Sequence, residues 1–285
     1  MADGGPFTVD AAYLAWRQSG DKRFVQPPVL DKLVKVFDAI PSAPDGSGLV
    51  WIDPKSDCER CPYGFTDTVR KQGKCLFTSL LKYEAGRRLE QMLRAAGREE
   101  DARRIRKACE MVKDAVNATF WDESAGLYRA ATEKCREHDV WGSAFAVWLE
   151  VASDARAERI ATVFRGAYAG LVHAGQVRHL MPGVYWELAC RRDTYQNGAF
   201  WGTATGWFAW TLSRIDRDLA NKTIEDLVVD YEKGGACEWH FGETRACAGG
   251  YPANVGLVLT AVQRIAKWRA LKSDGRMRRT NGVVA

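Results

Sequence analysis

No apolar run in the chain approaches the roughly 20 residues that a helix needs to cross a bilayer, which excludes a helical membrane span. The first seven residues lack the basic start and apolar stretch of a secretory signal, so the expectation is a cytoplasmic protein with no membrane partner. Charge of one sign is nowhere concentrated. The 41 basic and 36 acidic residues are mixed to a net +5, and the one basic block is the tail at 273–285, around Arg276, Arg278 and Arg279. Nucleic-acid binding therefore has no electrostatic footprint. Only four histidines occur, and neither His179 nor His240 belongs to a Ser/His/Asp pattern. Alternating β-branched runs are also scarce, which argues against a β-sheet protein.

What is present is helix periodicity. With 285 residues, 46% hydrophobic and 27% charged, the chain is long enough for a sizeable core and reads as one domain, 1–285. Apolar spacing predicts helices at 9–18, 29–40, 74–96, 99–119, 140–151, 155–171, 198–213, 217–233 and 253–270. Short turns, such as the one at Gly97 and the one at 213–216, pair them. The links between pairs, 41–73, 120–139, 173–197 and 234–252, are long and rich in aromatic and polar residues. Alternating short and long connections put every long loop at one end of a set of antiparallel αα-hairpins, where a site is usually built. A repeat of roughly 60 residues per pair points to an all-α toroid rather than a four-helix bundle.

Eight cysteines include a CxxC at Cys58 and Cys61, which suits half of a zinc site, a redox pair or a chance spacing. No second CxxC and no nearby histidine completes four ligands, so free thiols are the better reading, with no metal and no cofactor expected.

The chemistry concentrates in the long loops. Eleven tryptophans occur, and Trp51, Trp121, Trp141, Trp186, Trp201 and Trp239 fall in or beside those loops. Indole faces stack on the apolar faces of sugar rings while carboxylates and amides bind hydroxyls; core filling is the better account of any single tryptophan, but the loop placement of the set favours a binding site. The first loop carries Asp53, Asp57, Glu59 and Asp67. Asp67 follows aromatic and glycine residues shortly before a helix, a setting for an N-cap or for a general acid beside aromatic walls. The last loop carries Glu238, His240 and Glu243.

The run Tyr63, Gly64, Phe65, Thr66, Asp67, the run Tyr195, Gln196, Asn197, Gly198, Ala199, Phe200, Trp201, and the pair Glu238 and Trp239 together resemble the six-hairpin glycosidase superfamily, in particular its α-L-rhamnosidase-like and trehalase/glucosidase-like clans. The resemblance runs over 9–270. It implies a general acid on the early loop and a base on the late one, hence Asp67 and Glu238. Glu59, beside Arg60, resembles the acid of the rhamnosidase pattern and is the rival to Asp67, with Glu59 and Glu243 as the next pair to test. Such a toroid has twelve helices, whereas periodicity accounts for about nine, so the chain resembles a toroid without its first helices. The unpartnered first hairpin is then expected to expose an apolar flank that favours self-association.

The expected function is hydrolysis of a glycosidic bond by one carboxylic acid and one carboxylate, with inversion. Trp51, Asp53, Arg70, Asp139, Trp141, Arg178, His179, Trp186, Glu187, Asp193, Asn197, Trp201 and Trp239 are the expected sugar-binding residues. A non-catalytic carbohydrate-binding or scaffold protein, and an epimerase or lyase using His or Tyr bases on the same toroid, are the alternatives.

Overall fold

The computed structural model describes residues 3–55, 65–246 and 250–273. Helices dominate: α1 (Gly4–Ser19), α2 (Pro27–Asp38), α3 (Leu76–Ala95), α4 (Glu99–Thr119), α5 (Val140–Trp148), α6 (Asp154–Gly166), α7 (Tyr168–Leu171), α8 (Thr205–Leu212), α9 (Arg217–Gly234) and α10 (Pro252–Ser273). Local chemistry fixes their ends. Asp139, Ser153 and Asp216 cap α5, α6 and α9 by accepting backbone N–H bonds, a proline starts α2, and Glu99, Glu100 and Asp101 lie on the positive end of α4.

The helices form two layers. Outer helix α4 buries only the stripe Ala102, Ile105, Cys109, Val112 and Val116, whereas every residue of α8 is buried. Inner helices α1, α3, α5, α8 and α10 pack side by side, and α2, α4, α6 and α9 cover the first four of them. Close approach is built in at Gly206, where a Cβ would stand 2.6 Å from the Ala261 Cβ of α10. This is a helix-dominated α/α toroid-like architecture, and the described residues hold fewer than its twelve full-length helices. Because each inner helix joins its outer partner by a short turn, and that outer helix leads by a long loop to the next inner helix, all inner helices start at the same end. The long loops gather there.

Two stretches differ from the periodicity. The helix expected at 155–171 breaks into α6 and α7, and the one expected at 198–213 starts only at Thr205. Its first residues instead enter a five-stranded antiparallel sheet in the order β5 (Val172–His173), β6 (Gln176–Arg178), β7 (Phe200–Trp201), β8 (Trp239–Phe241) and β9 (Thr244–Ala246). Two smaller pairs, β1 (Trp51–Ile52) with β2 (Gly73–Lys74) and β3 (Trp121–Asp122) with β4 (Leu127–Tyr128), tie down the first two long loops. The register Arg178 to Phe200 to His240 stitches the third long loop to the fourth.

Candidate active site

That stitching decides what meets at the loop end. The loop ahead of β7 carries Tyr195, whose hydroxyl donates toward Glu238 Oε1 at 3.2 Å and Asp67 Oδ2 at 3.4 Å. Two carboxylates 171 positions apart (238 minus 67) thus share one phenol. The two contacts laid end to end (3.4 plus 3.2) bound the separation of those oxygens at about 6.6 Å.

Asp67, itself exposed, has its carboxylate held from behind, whereas Glu238 is held through its backbone. Buried Gln196 donates its amide to Asp67 Oδ1 and to the Phe65 carbonyl at 2.9 Å, while its own oxygen accepts from Thr68 N at 2.9 Å and Thr68 Oγ1 at 2.8 Å. On the other side, Asn254 at the start of α10 donates to the Cys237 and Glu238 carbonyls at 2.5 and 3.1 Å, and its oxygen accepts from Thr203 Oγ1. Tyr195 itself lies in the left-handed region with φ 45°, its carbonyl accepting from Trp201 Nε1 at 3.0 Å and its ring packed on Trp201 and Trp239. Burial, followed by the charges of Asp67 and Glu238, pushes its hydroxyl above the usual phenol range, so it stays a donor. Tyr251 is raised for the same reasons, burial first and then Glu238 and Asp67, which makes it a further group facing the pair.

A cavity of about 490 Å³ opens beside Asp67, walled by Thr68, Arg70, Glu187, Leu188, Ala189 and Cys190. A larger one of about 540 Å³ lies at the far end of α3, around Trp16, Lys22, Ala95 and Ala96. Its wall contains no carboxylate, so size gives way to chemistry and the Asp67 cavity is the candidate.

The expected sugar-binding residues divide sharply. Arg70 and Glu187 line the candidate cavity, and Trp239 reaches the pair through Tyr195. Glu187 is also held by Lys134 at 2.8 Å, which keeps its carboxyl below the usual range. Trp141, Trp186 and Trp201 are 1%, 4% and 1% exposed, so they brace the loops from the core rather than offering faces to a sugar. Trp186 Nε1 donates to the Gln196 carbonyl, and Trp141 stacks on His179 at 3.5 Å. His179 is fully enclosed and held neutral by burial and then by Lys71. Asp139 caps α5 and sits 3.9 Å from buried Lys71. Asn197 is spent on Trp186 N and the Cys190 carbonyl.

Arg178 packs over Tyr185 and Phe200, and Asp193 accepts from the Tyr185 hydroxyl. Asp53 closes its own turn by accepting from Lys55 N, and Trp51 pairs with Lys74 in β1. Glu243 is exposed at the tip of the β8–β9 hairpin; Glu59, Cys58 and Cys61 lie outside the described residues. Cys75, Cys109, Cys135 and Cys190 are free thiols, as expected, but Cys237 is disulfide-bonded.

Sequence reasoning gave no role to Tyr195, Gln196, Tyr251 or Asn254. The first two stood inside a motif that was noticed for its asparagine, glycine and aromatic residues, and no local signal distinguishes them.

No protein-family model matches the chain, and no curated protein matches it by sequence. Solved structures do match. A rhamnosidase from Klebsiella oxytoca with rhamnose bound superposes with a TM-score of 0.63 at 15% identity, over 92% of this chain and 46% of the rhamnosidase. An uncharacterized conserved protein from Thermus thermophilus matches with a TM-score of 0.63 at 14% identity, over 90% of this chain and 76% of that one. The likeness is one of fold. This chain spans about half the length of the rhamnosidase.

Proposed function

We propose that the chain is a glycoside hydrolase in which Asp67 and Glu238 act as acid and base on one glycosidic bond. The observation that carries the reading is the convergence of these two carboxylates on the Tyr195 hydroxyl at the loop end of a toroid-like fold. Glycosidic cleavage needs a proton delivered to the leaving oxygen and a nucleophile at the anomeric carbon, and two carboxyls flanking the bond supply both. In this reading Asp67 protonates the leaving oxygen, and Glu238 takes a proton from the water that attacks the opposite face. The separation of those oxygens is at most about 6.6 Å, a limit that admits the spacing of about 5 to 5.5 Å of retaining enzymes and reaches only the lower edge of the range of about 6.5 to 9.5 Å of inverting ones, so the first-formed anomer decides between the two outcomes.

The rhamnosidase neighbour makes a 6-deoxyhexose the first substrate to try, with the Asp67 cavity as the place for it. The test is a panel of aryl glycosides that includes the α-L-rhamnoside, followed by proton NMR to identify the first-formed anomer. Asp67→Asn and Glu238→Gln should each lower turnover by about 10² to 10⁴ fold while the circular dichroism spectrum is retained. Calorimetric sugar binding without hydrolysis by the parent chain would make it a binding protein instead. Full activity in either variant would move the chemistry elsewhere.

A further inference from the structure

The five-stranded sheet has two faces, and the site described above uses one of them. Phe200 and Trp201 are neighbours in β7, so their side chains leave on opposite sides. Trp201, together with Trp239, supports Tyr195. Paired residues of adjacent strands share a face, so Arg178, Phe200 and His240 stand in a row on the other side.

Arg178 on that second face is 8% exposed, and its Nε and Nη2 have no hydrogen-bond partner among the described residues. These two nitrogens form the edge of the guanidinium whose N–H bonds run parallel, the fork that a carboxylate meets with two oxygens. Aromatic rings hold the fork in place: its Cζ lies 5.9 Å from the Tyr185 ring and 5.7 Å from the Phe200 ring. Arg192 flanks the same Tyr185 ring at 4.9 Å, which adds a second cation. Ring faces attract the charge but give the N–H bonds no acceptor oxygen. A buried charge without hydrogen bonds is strongly unfavourable, so the fork calls for an acceptor from outside the chain.

Room for that acceptor lies over Gly198. Its φ is 123°, and a Cβ there would stand 3.1 Å from Arg178 Nη2, from Asp193 Oδ1 and from Tyr185 Cε1. The space therefore has a donor fork on one side and a carboxylate oxygen on the other, the latter held by the Tyr185 hydroxyl at 2.7 Å. A bare anion would suit Arg178 and be repelled by Asp193. A ligand that carries a hydroxyl beside its carboxylate suits both, with its two oxygens on the fork and its O–H donating to Asp193. Gln176, two residues along β6 on the same face, adds a buried and unpartnered acceptor in its Oε1.

We propose that Arg178, Tyr185, Asp193 and Gly198 form a second ligand site, for a hydroxycarboxylate, on the face of the sheet opposite the one that supports Tyr195. The site goes beyond the glycosidase reading and stands without it.

The experiment is calorimetry on the full chain with sodium D-gluconate, its neutral counterpart sorbitol, and inorganic phosphate. It is paired with ¹⁵N spectra of the arginine Nε–H groups, in which Arg178→Lys identifies the Arg178 signal. Gluconate should bind once per chain and shift that signal, sorbitol should do neither, and phosphate should bind more weakly. Arg178→Lys keeps the charge and loses the fork, so it should weaken gluconate by about tenfold or more, the worth of one charge-assisted hydrogen bond. Asp67→Asn should leave gluconate binding unchanged. An unmoved Arg178 signal, phosphate binding as tight as gluconate, equal binding in Arg178→Lys, or a loss on Asp67→Asn overturns the proposal. If Arg178→Lys does not fold, a crystal of the parent chain soaked in gluconate decides. A carboxylate on Arg178 Nε and Nη2 sustains the site, and gluconate elsewhere or nowhere overturns it. None of these measurements uses hydrolysis, so this site and the glycosidase reading stand or fall separately.

Discussion

At the scale of single residues, the loop end is supported by a buried ionic core that hydropathy does not announce. Lys71 is 2% exposed, donates to Thr66 Oγ1 at 3.1 Å, lies over the Trp186 ring and has Asp139 at 3.9 Å. Burial raises the Asp139 carboxyl and the nearby ammonium lowers it, with burial the larger effect. Removing one member of such a pair strands the other in a medium that solvates it poorly. Lys71→Met should therefore lower unfolding free energy by about 3 kcal/mol in urea. The double change Lys71→Met with Asp139→Asn should recover at least half of that loss, since asparagine still caps α5. A double variant no more stable than Lys71→Met alone would show that the pair is not coupled. Asp139 reads in sequence as a sugar ligand and Lys71 as a loop charge, because the ring that covers Lys71 belongs to Trp186, a residue more than a hundred positions away.

At the scale of elements, α1 and α3 meet through charge. Arg88 of α3 pairs with Asp10 of α1 at 2.9 Å and with Glu84 of its own helix at 2.6 Å. Burial and then the charge of Glu84 push the Asp10 carboxyl from 3.8 up to about 7, against the pull of Arg88. A carboxyl raised on folding binds its proton more tightly in the native state. Its stabilising contribution is full below the ordinary value and is lost as pH rises through the raised one. The thermal midpoint of the protein should accordingly fall between about pH 4 and about pH 7, and Asp10→Asn should flatten that slope. An unchanged slope in the variant would assign the effect to another group. The elements themselves were largely legible: α4 has the bounds that periodicity predicts, and α9 and α10 start within one residue of them. The five-stranded sheet was not. Strands of two or three residues are too short for an alternation of period two to be recognised, and the pairing that joins the third long loop to the fourth, Phe200 with His240, links residues far apart in the chain.

At the scale of the whole molecule, the layers are unevenly covered. Among the described residues no outer helix lies over α10, and Val255, Leu259 and Val262, one helical face at spacings of four and three, are 49%, 55% and 38% exposed. On α1, where an apolar flank was expected, Phe7 and Leu14 are partly exposed, Phe7 with its ring against Phe65. Exposed apolar stripes of this kind favour association. Sedimentation velocity should show concentration-dependent dimers that Leu259→Glu with Val262→Glu disperses; a monomer at all concentrations would mean that the stripe is tolerated in water.

The sequence by itself determined the helical class, the pairing of helices and the end at which the long loops collect, because each of these follows from local periodicity and from connection length. The family resemblance, rather than any local pattern, named Asp67 and Glu238 and put their loops face to face at that end. Only the tertiary structure decided that they share the Tyr195 hydroxyl, and that Trp141, Trp186 and Trp201 are bracing rather than sugar platforms. The physical reason is the same in each case. Burial and hydrogen-bond partnership depend on which loops the antiparallel sheet joins, and that depends on residues distant in the chain that no local pattern records.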